Sequence, residues 1–457
     1  MPSGFNSRLA AYELLHAVGT EDAYANLALP SIIRSFRLDA RDARFTTELA
    51  MGTLRWRGFL DAVIALASDR PIERIDPPIR DVLRLGAYQL LFMRVPDHAA
   101  VSSAVDMCGQ VNFRSAGGFV NAGLRRISEQ SLDTWRERVG ADETDETQRL
   151  ATLWSHPRWQ VAALRDALGS RRSELEQLLQ IDNASPAVTA VSRIGAAGVE
   201  ELLATGGEPG KWSPFAVQLA GDPHDVAAIR SGVCGVQDEG SQLVALCLAH
   251  AQIAGSDESW LDLCSGPGGK AALLKYLAHE RGASLTAVEL QPHRAQLVES
   301  ALSALPGTHT VITADGRDSQ FETGSFDRVL VDAPCTGLGV LRRRAESRWR
   351  RNASDVAGLA RLQRELLKNA LAAVRPGGVV AYATCSPHLA ETEFVVEDVL
   401  HDLPQSQLLN ARTTAIGIPG LRNREEFSAL SGEGNFLRLW PHLHGTDGMF
   451  LALLSRD

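Results

Sequence analysis

The first third of the chain repeats its apolar residues at helical spacing. Ile79, Val82, Leu83, Gly86 and Leu90 fall on one face of a helix. Asp76-Pro77-Pro78, immediately before them, is a helix start, because proline fits a first turn whose N–H groups have no helical partner anyway. Similar stripes run through 8–18, 41–67, 98–111 and 117–128, with no strand-like alternation to compete. An all-helical domain is therefore expected over residues 1–135. The acidic stretch Ala141–Thr147 breaks the pattern and predicts a solvated linker. Residues 150–180 return to helical spacing, and 187–235 mix short alternating segments with Gly and Pro. Residues 150–235 thus predict a small α/β connecting subdomain.

From Gln237-Asp-Glu-Gly-Ser241, where a helix begins, to residue 457 the period changes. Short apolar runs predict strands at 259–264, 284–289, 309–313, 327–332 and 378–384. Helical segments fall at 270–281, 291–304, 355–374 and 391–401. That alternation is the βαβ signature of a doubly wound, mostly parallel sheet. Two closing strands, 436–440 and 448–454, have no helix predicted between them and point to an antiparallel hairpin. The fold class expected for 236–457 is a Rossmann-like α/β domain.

Composition narrows the class. An apolar fraction of 45% with 22% charged residues is that of a soluble globular chain. No uninterrupted apolar run is long enough to span a membrane. Met1-Pro-Ser-Gly-Phe-Asn-Ser-Arg8 lacks the basic-then-apolar pattern of a signal peptide, so a cytoplasmic location is expected. The six cysteines show neither a C-x-x-C pair nor a metal-type spacing with histidine, so no metal is expected. A net charge of −9 argues against indiscriminate nucleic-acid binding. Residues 5–130, with 15 Arg against 14 Asp plus Glu, are near neutral, which permits RNA contact. Only four of the 46 basic residues are lysines, and one of these, Lys270, sits inside a glycine-rich turn.

That turn is Cys264-Ser265-Gly266-Pro267-Gly268-Gly269-Lys270, between a strand and a helix. With Ala271 it satisfies G-x-G-x-x-G/A, but it is not a phosphate loop of the G-x-x-x-x-G-K-[ST] kind. Glu289 ends the next strand, where an acidic residue bonds ribose hydroxyls, and Asp315 follows the third strand. The layout suits a nicotinamide dinucleotide and S-adenosylmethionine equally. Two downstream thiols separate them. Asp332-Ala-Pro-Cys335 and Ala383-Thr-Cys385-Ser-Pro387 each close an apolar run, at the strand ends where α/β sheets bind ligands. A hydride transfer needs no second cysteine. Methylating carbon 5 of a pyrimidine does need a nucleophile, because thiolate addition at carbon 6 makes carbon 5 electron-rich. Asp332 is placed to stabilise charge developing near ring atom N3.

Asp332-Ala-Pro-Cys335-Thr-Gly-Leu-Gly339, Ala383-Thr-Cys385-Ser386, Leu263-Cys264 with Pro267–Lys270, and Asp315-Gly316 resemble the RNA cytosine-C5 methyltransferases. The match is closer to the Sun/Fmu-type branch, which methylates 16S ribosomal RNA. Gly337–Arg344, Leu83–Leu91, Val95–Val101, Gly118–Arg126 and His442–Phe450 carry that closer resemblance. It implies that the N-terminal helical domain binds RNA and is similar to a transcription antitermination factor. It implies that Cys385 is the nucleophile and that Cys335 helps release product. It implies an S-adenosylmethionine site of Cys264 to Lys270, Glu289, Asp315 and Asp332. Ser265-Gly266, Ala271, Glu289 and Leu389-Ala390 depart from the commoner residues, and none removes a reacting group.

Cys108, Cys234 and Cys247 are expected to be small apolar core residues, Cys264 part of the cofactor-loop wall, and His98 and His388 structural or surface groups. Leu341–Arg351 holds six Arg and one Glu, and a run like this is commonly a solvated helix face. Its place after Cys335 instead points to RNA phosphate contact by Arg342, Arg343, Arg344, Arg348 and Arg350, with Trp349 free to stack a base. The expected partner is 16S rRNA, free or in a partly assembled small subunit, and the expected state is a monomer. The rivals are a tRNA cytosine-C5 methyltransferase, disfavoured by the helical domain, a nicotinamide oxidoreductase, resting on the loop and Glu289, and a non-catalytic RNA-binding assembly protein.

Overall fold

A computed structural model describes residues 3–21, 23–141, 143–318 and 321–457. Met1, Pro2 and Asp142 of the segments discussed above lie outside the described residues. The chain forms two compact units, one of Met1–Ala184 with Leu341–Arg351, the other of Ser185–Val340 with Asn352–Asp457.

The first unit is helical. Its principal helices include Ala40–Arg55, Arg57–Ser68, Pro77–Phe92, Asp97–Gln110 and Gly117–Ser128. Asp76 stands at the N-cap of Pro77–Phe92, with proline in the first turn as its sequence predicts. The apolar stripe of that helix is buried in a core with Leu49, Phe59, Val63 and Leu124. Gly86 belongs to the stripe for a steric reason: a Cβ there would lie 2.5 Å from the Leu124 side chain. Arg84 is also buried, held by both carboxylate oxygens of Asp61 and by Asp81.

The second unit carries two sheets. The smaller contains β1 (Thr189–Ser192), β2 (Glu208–Pro209), β3 (Ala216–Gln218) and β4 (Cys234–Val236), antiparallel in the order β2-β3-β1-β4. The larger contains β5 (Ser259–Asp262), β6 (Ser284–Glu289), β7 (His309–Thr313), β8 (Phe326–Asp332), β9 (Val374–Thr384), β10 (Ser406–Leu409), β11 (Leu437–Leu439) and β12 (Met449–Arg456). Its order is β10-β12-β9-β8-β5-β6-β7, with β11 paired to β12. Strands β5 to β9 run parallel; β12 is antiparallel to β9, β10 and β11. The predicted closing hairpin is present as β11 and β12, joined through a short helix, Pro441–His444.

Both faces of the large sheet are covered. Along β9, Val379, Ala381 and Ala383 enter one apolar core, while Val380 and Tyr382 enter the other. Strand β12 alternates in the same way, with Leu451 and Leu453 on one side and Phe450, Ala452 and Leu454 on the other. A strand buried on both faces must be apolar throughout, which is why these runs were legible as strands. Strand β10, which sequence patterning did not predict, begins Ser406-Gln407 and lies at the sheet edge. Among the described residues no helix is long and apolar enough to cross a membrane.

Candidate active site

The adjacency of β8 and β9 places the two motif cysteines. The strands are parallel neighbours with Asp332 opposite Ala383, so both chains leave the sheet at the same edge. Three residues beyond Asp332 and two beyond Ala383, the Cys335 and Cys385 sulfurs stand 3.4 Å apart. Both residues are partly exposed, and none of the six cysteines is in a disulfide. Glycine permits this closeness. Gly339 donates from its backbone N–H to the Cys385 carbonyl, and Gly448 donates to the Gly339 carbonyl, each at 2.8 Å. A Cβ on Gly339 would clash with the Gly448 carbonyl, so any larger residue would prise these segments apart.

The glycine-rich turn rises from β5 at the same edge. Gly268 adopts φ of 107°, a left-handed conformation open to glycine, and precedes the helix Gly269–His279. Lys270, in the first turn of that helix, forms an ion pair with Asp332 at 2.8 Å. Burial lowers the Lys270 pKa, but the Asp332 charge and hydrogen bond, and after them the Cys385 and Asp262 charges, hold it above its ordinary value. The Lys270 ammonium also interacts with Cys385. Ser265 donates from its hydroxyl to the Val288 carbonyl, locking the turn onto β6. Glu289, 4% exposed, accepts from the Gly266 and Gln291 backbone N–H groups, each at 3.0 Å, and faces Arg294. Asp315 lies after β7, where its carboxylate is held by Arg317, which lowers its pKa.

Two groups that sequence reasoning did not single out belong here. Asp262, fully buried at the end of β5, has its pKa pushed up to about 7, first by burial and then by Asp332. Its Oδ2 atom is buried without a hydrogen-bond partner. Gln237, just ahead of the helix Glu239–His250, has neither polar side-chain atom bonded and lies about 4 Å from a Cβ built on Gly269. The only sequence signal for either was proximity to a predicted strand or helix end.

Cys108, Cys234 and Cys247 are core residues, with thiol pKa values pushed up by burial. Cys264 is partly exposed and its thiol is also pushed well up, by burial and the neighbouring carboxylates. His388 caps the turn Leu389–Glu391 by accepting from the Ala390 N–H, and His98 is exposed.

The arginine-rich run is not laid open for the RNA phosphate contact expected of it. It packs into the helical unit instead, with Arg342 and Arg348 buried. Arg348 donates to the carbonyls of Arg55, Ser155 and Asp182 and to Asn183 Oδ1. Trp349 is not free to stack a base: its ring lies against Gly58 and beneath Arg57. Arg350 donates to the Ala23 carbonyl and covers the Tyr24 ring, and Arg343 is partly buried. Of the six residues named for RNA contact, Arg344 is the exposed one. Among the described residues, no cluster of His, Cys, Asp or Glu could hold a metal ion.

Comparison with known proteins finds two family matches along the chain. Residues 252–455 match the family described as 16S rRNA methyltransferase RsmB/F, and residues 5–129 match the NusB family. A Mycobacterium tuberculosis protein named as a methyltransferase is 50% identical across 98% of this chain and 96% of its own length. Ribosomal RNA small subunit methyltransferase B of Pseudomonas putida is 32% identical across 99% of this chain and 98% of its own. The crystal structure of PH0851 shares the fold with a TM-score of 0.77 at 22% identity, covering 100% of this chain and 99% of that one.

Proposed function

Because this chain belongs to the 16S rRNA methyltransferase RsmB/F family, we propose that it methylates carbon 5 of a cytosine in 16S rRNA through a covalent Cys385 adduct. The observation that carries the reading is the 3.4 Å approach of two thiols beside the Lys270–Asp332 pair. A methyltransferase acting on a nitrogen or oxygen has no use for such a pair.

The residues present fit S-adenosylmethionine. Asp262 Oδ2 and the Gln237 amide are buried polar groups without partners in the chain, suited to an amino-acid ammonium and carboxylate. Glu289 keeps acceptor capacity for ribose hydroxyls beyond the two N–H groups it holds. The turn Cys264–Lys270, Asp315 and Asp332 complete the proposed cofactor wall. Bound there, the cofactor supplies an electrophilic sulfonium methyl group that an electron-rich carbon can take.

The chain's own groups divide the remaining work. Cys385 adds as a thiolate to carbon 6 of a base that is flipped or already unpaired. Lys270 supplies the positive charge that favours that thiolate. The Lys270–Asp332 pair is placed to stabilise the charge that develops near ring atom N3. At release the C5–H electron pair restores the ring double bond, and the C6–S pair returns to Cys385. Cys335 passes its proton to the departing sulfur and takes up the one lost from carbon 5. The exposed Arg344 is retained as a contact for RNA phosphate; the buried Arg348 is not.

Bisulfite mapping of 16S rRNA and tRNA, from cells with and without this gene, tests the substrate. One 16S cytosine must lose its methyl group in the deletion and regain it on complementation. Loss confined to tRNA would contradict the reading.

A further inference from the structure

Beside the thiol pair lies a buried carboxylate that the reaction scheme leaves unused. Glu391 is 0% exposed and ends the turn Leu389–Glu391, six residues beyond Cys385. Four hydrogen bonds reach its two oxygens. Oε1 accepts from the Thr336 backbone N–H at 2.8 Å and from Gln363 Nε2 at 3.3 Å. Oε2 accepts from the Thr336 hydroxyl and, at 2.7 Å, from the Ser386 hydroxyl. Thr336 follows Cys335 and Ser386 follows Cys385, so one carboxylate grips the residue after each thiol. Gln363, on the helix Asp355–Ala373, also donates to the Pro334 carbonyl at 2.8 Å. The Tyr382 hydroxyl donates to the Glu391 carbonyl at 2.6 Å and fixes the turn to β9.

A charge so deeply buried persists only when fully bonded, and a neutral side chain would cap this turn at less desolvation cost. We infer that Glu391 is a positioning residue that clamps the Cys335 loop to the Cys385 loop and sets a fixed negative charge on the Cys335 side of the pair. The inference rests on the two-thiol reading above. Lys270 puts the opposite charge beside Cys385, so the two sulfurs stand in unlike fields. The Cys335 thiol is pushed well up by its hydrogen bond with Cys385, by burial, and by the Cys385 and Glu391 charges. Other ionisable groups bearing on this pocket include Tyr382 of β9, whose pKa is pushed well up first by burial and then by the Cys335 and Glu391 charges, and the Lys270–Asp332 pair. Arg364 bears on Tyr382 from the helix Asp355–Ala373. A thiol kept protonated is what the releasing partner needs, and an unburdened thiolate is what the attacking partner needs.

Glu391→Gln keeps the shape, and its amide can donate to the two hydroxyls once they rotate, so the variant removes mainly charge. Thr336→Val removes one donor and leaves the charge. In a Cys385→Ala background, the pH dependence of Cys335 alkylation is followed by mass spectrometry of its peptide. Glu391→Gln must lower that midpoint by at least about one pH unit, whereas Thr336→Val must not lower it. In the otherwise unaltered protein, Thr336→Val must reduce kcat several-fold with KM for the cofactor unchanged. An alkylation midpoint unmoved by Glu391→Gln overturns the charge role, and full kcat in Thr336→Val overturns the clamp. If Glu391→Gln does not fold, the kcat and KM of Thr336→Val decide alone. The alkylation readout needs no methyl transfer, so it stands apart from failure of the function itself.

Discussion

Asp262 illustrates how a single buried group ties chemistry to stability. Its carboxyl titrates near 7 in the fold, raised by burial and then by Asp332, against about 3.9 for an aspartate in an unfolded chain. Between those values the folded state holds a proton that the unfolded state has released. This group's contribution to stability is therefore complete below about pH 4 and declines until about pH 7. Asp262→Asn, which cannot ionise, should flatten that part of the stability–pH curve, measured by urea unfolding at successive pH values. An unchanged slope would refute the buried-proton account. The same variant should weaken S-adenosylmethionine binding in calorimetry, since it replaces an acceptor oxygen proposed to meet an ammonium. Residues of this kind were hard to recognise from sequence, because nothing in the string tells a strand-end aspartate with a free oxygen from one already bonded. Glu391 had the same problem. It was visible as the start of a predicted helix, where acidic residues are common for dipole reasons, and its burial depends on Thr336 and Ser386 from two loops 50 residues apart.

At the scale of elements, legibility followed burial. Strands β8 and β9 are apolar on both faces and stood out; their adjacency, which brings Cys335 to Cys385, is a property of sheet order that the strand pattern does not state. The β10 strand was missed because an edge strand starting Ser406-Gln407 has no apolar run. The arginine-rich segment failed for the opposite reason. Charge suggested RNA contact, yet Arg348 is fully buried, its two terminal nitrogens donating to three backbone carbonyls and an amide oxygen while Nε has no partner, and burial lowers its pKa to about 9. Backbone acceptors leave no trace in a sequence. Arg348→Ala should therefore destabilise the helical unit by about 3 kcal/mol or more, by stranding those acceptors in the interior. Denaturant unfolding followed by tryptophan fluorescence gives the number. A loss below about 1 kcal/mol would mean that the guanidinium is not a structural key.

For the whole molecule, the chain passes from the sheet unit into the helical unit at residues 341–351 and back again, immediately after the loop that carries Cys335. A sequence-wide net charge of −9 leaves RNA attraction to local patches. What gives the protein its proposed chemistry is the shared edge where β5, β6, β8 and β9 end, since the glycine-rich turn, Glu289, Asp332 and both thiols all leave the sheet there. The full-length protein, incubated with 16S rRNA and S-adenosylmethionine and then denatured, tests that arrangement most directly. Cys335→Ala should accumulate a denaturant-resistant protein–RNA adduct, and Cys385→Ala should form neither adduct nor 5-methylcytosine. Normal turnover by the Cys335 variant, or methylation by the Cys385 variant, would contradict the two-thiol mechanism.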